Sequence, residues 1–217
     1  MSLTYLPYKL SSSEEQAYSV LLEVYKQSVN AFSEAHSLSA LLSICYSAED
    51  RPSLIGRILD QNRSCVILCT SVIDRESLQD YFHKVGVYTH SFCEPMSPIK
   101  RSQLCNSMSN CDIFTCLTEP KNLPLPPPCA KDVLYVIPPQ LLTPYMAGIP
   151  SNSEIYVPVC APNLPSIEAA FVSRYQYLIQ GASVSLQDQL SPSVTNEIAS
   201  LFTALPQKPA LPAQSFT

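Results

Sequence analysis

The chain has 217 residues with a net charge of −5, and its charged residues make up only 14% while hydrophobic residues make up 46%. That length and apolar share suit one sizeable core with appended elements. The balance of 20 Pro to 4 isolated Gly excludes Walker and dinucleotide loops, which need clustered glycines to bring backbone amides to a phosphate.

No run is long and apolar enough to span a bilayer, and MSLTYLPYKL lacks the basic start and apolar run of a signal peptide, so the reading is an intracellular chain. Nine cysteines sit largely in apolar runs, and in a reducing compartment they read as buried small hydrophobes.

In chain order, residues 1–12 read as a short apolar-aromatic lead. Ser12 or Ser13 is expected to cap a helix reaching about Phe32, with Glu15 or Gln16 closing a capping box. A second helical stretch reaches about Cys45, and the polar segment ending at Pro52 reads as a connection. From there helices alternate with short apolar runs: CVILCTS, VYTHSF, CDIFTCLT, DVLYVIP and SEIYVPVCAP read as buried strands. The intervening helices cover residues 53–62, 74–86 with Gly86 at the C-cap, 98–109, a short piece broken near Pro144, and 166–181. Residues 119–130 are too Pro-rich to be regular, and a weak helix is expected at 192–204.

Strands alternating with helices imply right-handed crossovers and a mostly parallel sheet. The expected fold is therefore an α/β three-layer domain over 51–181, with a helical extension at 1–50 and a helical, Pro-rich tail at 182–217.

Chemistry is sparse. Cys65 with Cys69, and Cys111 with Cys116, have short spacing, but nothing nearby would complete a zinc tetrahedron, so no metal ligand is assigned. A nucleophile and base could be drawn from any of the nine Cys and three His; His90, Cys93 and Glu94 form a trio that could serve a Cys-dependent enzyme on an α/β fold, and no catalytic residue is assigned there. His83, Lys84, Lys100 and Arg101 form a basic edge, with Lys84, Lys100 and Arg101 the candidate nucleic-acid contacts.

The order of parts over about 130 residues resembles the second RecA-like lobe of helicases and Swi/Snf-type translocases. The phrases that carry the resemblance are the strand CVILCTS, the stretch from Ser91 to Arg101 with Met96-Ser97, the pair Thr118-Glu119, and Ser166-Ile167-Glu168 after IYVPVCAP. The resemblance implies a RecA-like three-layer fold. An active lobe of that kind carries an Arg-rich motif after the strand matching DVLYVIPP, because phosphoryl transfer needs a cation to offset developing charge. LLTPYMAGIPSNSE holds no Arg or Lys, and the partner lobe with its Walker Lys is absent from the chain, so the expectation is no nucleotide cofactor and no enzyme activity.

Tyr5-Leu6-Pro7 followed by Gln16 and an apolar helix resembles the opening of the non-catalytic subunits of fungal class II histone deacetylase complexes and a related fission-yeast shelterin component. A piRNA-pathway Tudor protein with a degenerate helicase lobe is a further possible relative. The first resemblance implies a nuclear scaffold in silencing or telomere complexes, binding a helix or peptide of a protein partner. The first helix offers a surface for it. Tyr18, Leu22, Tyr25, Val29 and Phe32 fall at the four-and-three spacing of a helix–helix seam, with Leu21 and Val24 free to pack on the core. The competing expectation is that residues 34–45 cover that stripe within the chain.

Overall fold

The computed structural model describes residues 2–59, 63–93, 95–119, 133–162 and 164–179. Most of 119–130, the expected helix at 192–204, Gly181 and Glu94 lie outside them. The elements run β1 (Ser2–Tyr8), α1 (Ser12–Lys26), α2 (Ala31–Ser47), α3 (Asp50–Ile58), β2 (Ser64–Leu68), α4 (Val72–Lys84) and β3 (His90–Phe92). They continue with α5 (Pro98–Ser109), β4 (Thr115–Thr118), β5 (Val133–Val136), α6 (Leu142–Tyr145) between two 3₁₀ turns, β6 (Glu154–Cys160) and α7 (Ile167–Ile179).

The strands form one six-stranded sheet in the order β1-β6-β5-β2-β4-β3, and every pairing in it is parallel. β2 lies between β4 and β5, with Ile67 opposite Leu117 and Val136, and all five of its residues are buried. A strand covered on both faces needs apolar side chains in both directions, which is why Ser64–Leu68 shows no alternation.

Alternate residues of β2, with Cys69 just after it, feed two layers. Val66 and Leu68 join Met108 of α5, Leu142 of α6 and Ala169 and Val172 of α7. Cys65, Ile67 and Cys69 join Ile55 of α3 and Leu78 and Phe82 of α4. A third cluster gathers Tyr8, Tyr18, Leu22, Tyr25, Leu41, Cys45, Ile167 and Ala170, so the α1–α2 hairpin packs where β1 and β6 end, against the first turns of α7. Among the described residues no helix is long and apolar enough to cross a membrane.

Three sequence expectations are corrected. The lead at 1–12 is more than a run-in to the first helix: residues 2–8 are the edge strand, paired with β6 from Ser2↔Glu154 to Tyr8↔Cys160. The sheet thus recruits part of the segment expected to be a helical extension. Edge position accommodates Pro7, which cannot donate to a ladder. Pro158 is accommodated because β6 outruns β5: the ladder stops at Tyr156, whose carbonyl accepts from Ile137 N at 2.9 Å.

Second, the first helix stops at Lys26, not Phe32. Asn30 begins a new helix, its Oδ1 accepting from Ser33 N at 2.9 Å. Third, the cap of α1 is Ser11, one residue early, and its amide donates to Glu14 Oε2 at 2.6 Å.

Candidate interaction surface and the charge cluster beneath it

The hairpin decides where the seam residues point. Tyr18, Leu22 and Tyr25 are fully buried, at 0–1% exposure, among Leu41, Cys45, Ile167 and Ala170. They are core residues and do not face a partner. Their rings remove large apolar area from water, and the hydroxyls find partners inside. Tyr18 Oη donates to Pro165 O at 3.1 Å and accepts from Ile167 N at 2.8 Å, tying α1 to the start of α7. Val24, expected on the core, is half exposed instead.

The other two seam residues are on the surface. Val29 lies in the turn between the helices and Phe32 in the first turn of α2, at 91% and 84% exposure. Val20 and Val24, one turn apart, share the solvent face of α1. The stripe read as continuous is therefore split by the break at 27–30. Three members close the hairpin and two form its exposed apolar tip.

The basic edge is split as well. α4 leaves the end of β2 and runs back, so Lys84 sits where the strands begin, on the layer packed against Ile67. α5 starts just beyond β3, so Lys100 and Arg101 sit where the strands finish, on the layer packed against Val66. The three residues lie on opposite faces and at opposite ends of the sheet, and do not form one patch.

His90 and Cys93 fare similarly. His90 is buried at the start of β3. Cys111 Sγ lies 4.0 Å from its Nε2, and that thiol donates to Ser107 O at 3.3 Å. Among the described residues five cysteines are buried, Cys65 and Cys69 included, while Cys93 and Cys105 are partly exposed and Cys111 is exposed. Among the described residues no group of three or more His, Cys, Asp or Glu is placed to hold a metal ion. The Arg- and Lys-free stretch after β5 contributes Leu141, Leu142, Tyr145, Met146 and Ile149 to the sheet's covering layer.

Beneath the hairpin lies a buried charge cluster that sequence reasoning missed. Arg51 of α3 donates through both terminal nitrogens to the Asp74 carboxylate, with each side chain at most 1% exposed. Its guanidinium lies 5.2 Å above the Tyr46 ring. Burial alone pulls the Arg51 pKa down, but Asp74, Tyr8 and Glu168 outweigh it and hold the group above its ordinary value. Asp74 Oδ2 also accepts from Thr70 N at 2.9 Å and Thr70 Oγ1 at 3.2 Å, and Ser71 caps the helix by accepting from Asp74 N. That Ser71-x-x-Asp74 spacing is a helix-start pattern, the one signal in the sequence for it.

Glu168, in the first turn of α7, is the second carboxyl. Its Oε2 accepts from Cys160 N at 2.6 Å and lies 2.9 Å from Tyr8 Oη, which is also 2.9 Å from Cys45 O. Its Oε1 is buried with no hydrogen-bond partner. Burial pushes the Glu168 carboxyl up to about 7 against the pull of the Cys160 amide, Arg51 and Tyr8. Burial likewise raises Tyr8 and Cys45 well above their ordinary values.

The sequence matches no protein-family model and no curated protein. Solved structures do match. The Sulfolobus solfataricus SWI2/SNF2 ATPase C-terminal domain superposes with a TM-score of 0.58 at 10% identity, covering 91% of this chain and 92% of that one. The S. solfataricus SWI2/SNF2 ATPase core in complex with dsDNA gives 0.57 at 11%, over 91% of this chain and 48% of that one. The C-terminal part of the Fun30 ATPase domain gives 0.51 at 10%, over 93% and 96%.

The fold is that of a RecA-like helicase lobe. Its parallel six-stranded sheet with helices on both faces matches the C-terminal lobes of Swi2/Snf2 ATPases.

Proposed function

We propose that this chain is a non-catalytic helicase-like lobe that binds a helix or peptide of a protein partner as a scaffold in a nuclear chromatin-silencing or telomere complex. The observation that carries the binding role is the hairpin tip, where Val29 and Phe32 stand in solvent although the inner faces of the helices behind them are packed. Large apolar side chains beside a capped helix start are suited to act as anchors, because a partner that covers them buries much apolar area.

The non-catalytic reading rests on residues 139–153, which offer no Arg or Lys to a phosphate and supply apolar side chains to the covering layer. The chromatin or telomere setting rests on the resemblance of the opening residues Tyr5-Leu6-Pro7 and of the phrases around Met96-Ser97 and Ser166-Ile167-Glu168. The test is affinity capture from nuclear extract with wild type and Phe32→Asp, read by quantitative mass spectrometry. Chromatin or telomere proteins retained by wild type and lost by the variant support the reading. Equal capture by both removes the hairpin tip as the docking surface.

A second reading, contact with nucleic acid, is favoured by the superposition on a SWI2/SNF2 core bound to dsDNA. Of the three candidate contacts, Lys100 and Arg101 share the end where the strands finish and Lys84 does not, so binding by this lobe would be weak and steeply salt-dependent. A mobility-shift titration at two salt concentrations tests it.

A further inference from the structure

We propose that Glu168 is a proton-operated clasp that holds the α1–α2 hairpin against the end of the sheet. The first argument is a count of hydrogens. Tyr8 has one hydroxyl hydrogen, yet its oxygen lies 2.9 Å from two acceptors, Cys45 O and Glu168 Oε2. If both were acceptors only, one contact would hold no hydrogen. A proton on Glu168 Oε2 completes the set: Cys160 N donates to Oε2, Oε2 donates to Tyr8 Oη, and Tyr8 Oη donates to Cys45 O. The relay joins β6, α7, β1 and α2 in one direction. Cys45 O is among the last four carbonyls of α2, which have no partner within the helix.

The second argument is a count of charge. The groups facing Glu168 are Tyr8 from β1, Tyr18 from α1, Cys45 and Tyr46 from α2, Arg51 from α3, Asp74 from α4 and Cys160 from β6. Arg51 is the one cation among them, and it is already matched by Asp74. An ionised Glu168 would leave the cluster one negative charge in excess, with one oxygen, Oε1, buried and unpartnered. The same oxygen as a neutral carbonyl is far less costly to leave bare. The N-terminal turn of α7 favours a charge, but only by a fraction of what burying an unmatched carboxylate costs.

Loss of the proton therefore does two things. The hydrogen of Tyr8 goes to the carboxylate, so Cys45 O loses its donor. The excess charge is relieved by admitting water between α2 and the sheet, which is the motion that frees the hairpin. An acid whose pKa is higher folded than unfolded stabilises the fold below the unfolded value and loses that stabilisation as pH rises through the folded one. With an ordinary value of 4.5 and a folded value of about 7, the window is pH 4.5 to 7.

The experiment is hydrogen exchange on the whole chain across that range and above it. Protection factors of amides 40–48 and of α1 should fall by about tenfold per pH unit, about 10²-fold in total, and level off above about pH 7.5. Glu168→Gln should flatten that fall and exceed wild type in protection at pH 8. A variant less protected than wild type at pH 8, with the wild-type slope retained, would overturn the proposal, since the carboxylate would then be the stabilising form. If the variant does not fold, infrared difference spectra of wild type decide. The carbonyl band of a protonated carboxyl must be present at pH 6 and lost by pH 8, and its absence at pH 6 overturns the clasp.

Discussion

Replacing Tyr25 and Phe32 separately with alanine tests how the hairpin is packed. The two lie seven residues apart and would be equivalent on one continuous helix. In the structure Tyr25 is at 0% exposure and Phe32 at 84%. Truncating a buried aromatic ring leaves a cavity and costs about 3–5 kcal/mol. In a chain of this length each kcal/mol moves the Tm by about 2–4 °C, so Tyr25→Ala should melt about 6–20 °C below wild type. Phe32 has only about a sixth of its surface to lose, which amounts to less than about 0.5 kcal/mol and a Tm shift within about 2 °C. Partner affinity should respond in the opposite order: truncating Phe32 at about 2 kcal/mol weakens binding about 30-fold. Differential scanning calorimetry on the two variants, followed by titration with the captured partner, checks both. A Phe32→Ala variant that melts as low as Tyr25→Ala would refute the exposed tip. Unchanged melting of Tyr25→Ala would refute the packing of the hairpin itself.

Further outcomes follow from the interior. Arg51→Met should cost about 3–5 kcal/mol, because it strands Asp74 in the core, and adding Asp74→Asn should recover much of the loss, measured by urea unfolding. Tyr18→Phe removes the hydroxyl that serves both Pro165 O and Ile167 N, and should lower stability by about 1–3 kcal/mol in the same assay. ATP with magnesium should leave the Tm unchanged, and a clear rise would overturn the proposal of a non-catalytic lobe.

The sheet interior was legible because strands buried on both faces must be apolar throughout, and CVILC and VLYV are. The edge strand was not legible. Leu3, Tyr5 and Leu6 resemble a loose lead, and only β6, far along the chain, makes a strand of them. The break between α1 and α2 carries neither Gly nor Pro. Asn30 ends one helix and begins the next through its side-chain cap, yet on a helical wheel it passes as another polar residue. The seam spacing on α1 marks apolar positions, but spacing does not say which of them the neighbours cover. Hydroxyl partners at Pro165 and Ile167 turned Tyr18 inward, and those partners lie about 150 residues away. The Arg51–Asp74 pair was hidden for the same reason: two charged residues 23 apart give no sign that helices will bury them together.

The pairing of β1 with β6 also sets a schedule for synthesis. The two strands are about 150 residues apart in the chain. At about 5–20 residues per second a ribosome needs roughly 8–30 s to make the intervening segment. Throughout that interval the first strand has an unsatisfied ladder, and Tyr18 lacks the start of α7 to dock on. Contacts of such long separation close late and slow folding. The nascent hairpin, already able to pair α1 with α2, is thus the part most exposed to chaperones. It is also the part to which a partner made in the same cell compartment could bind before the lobe is complete.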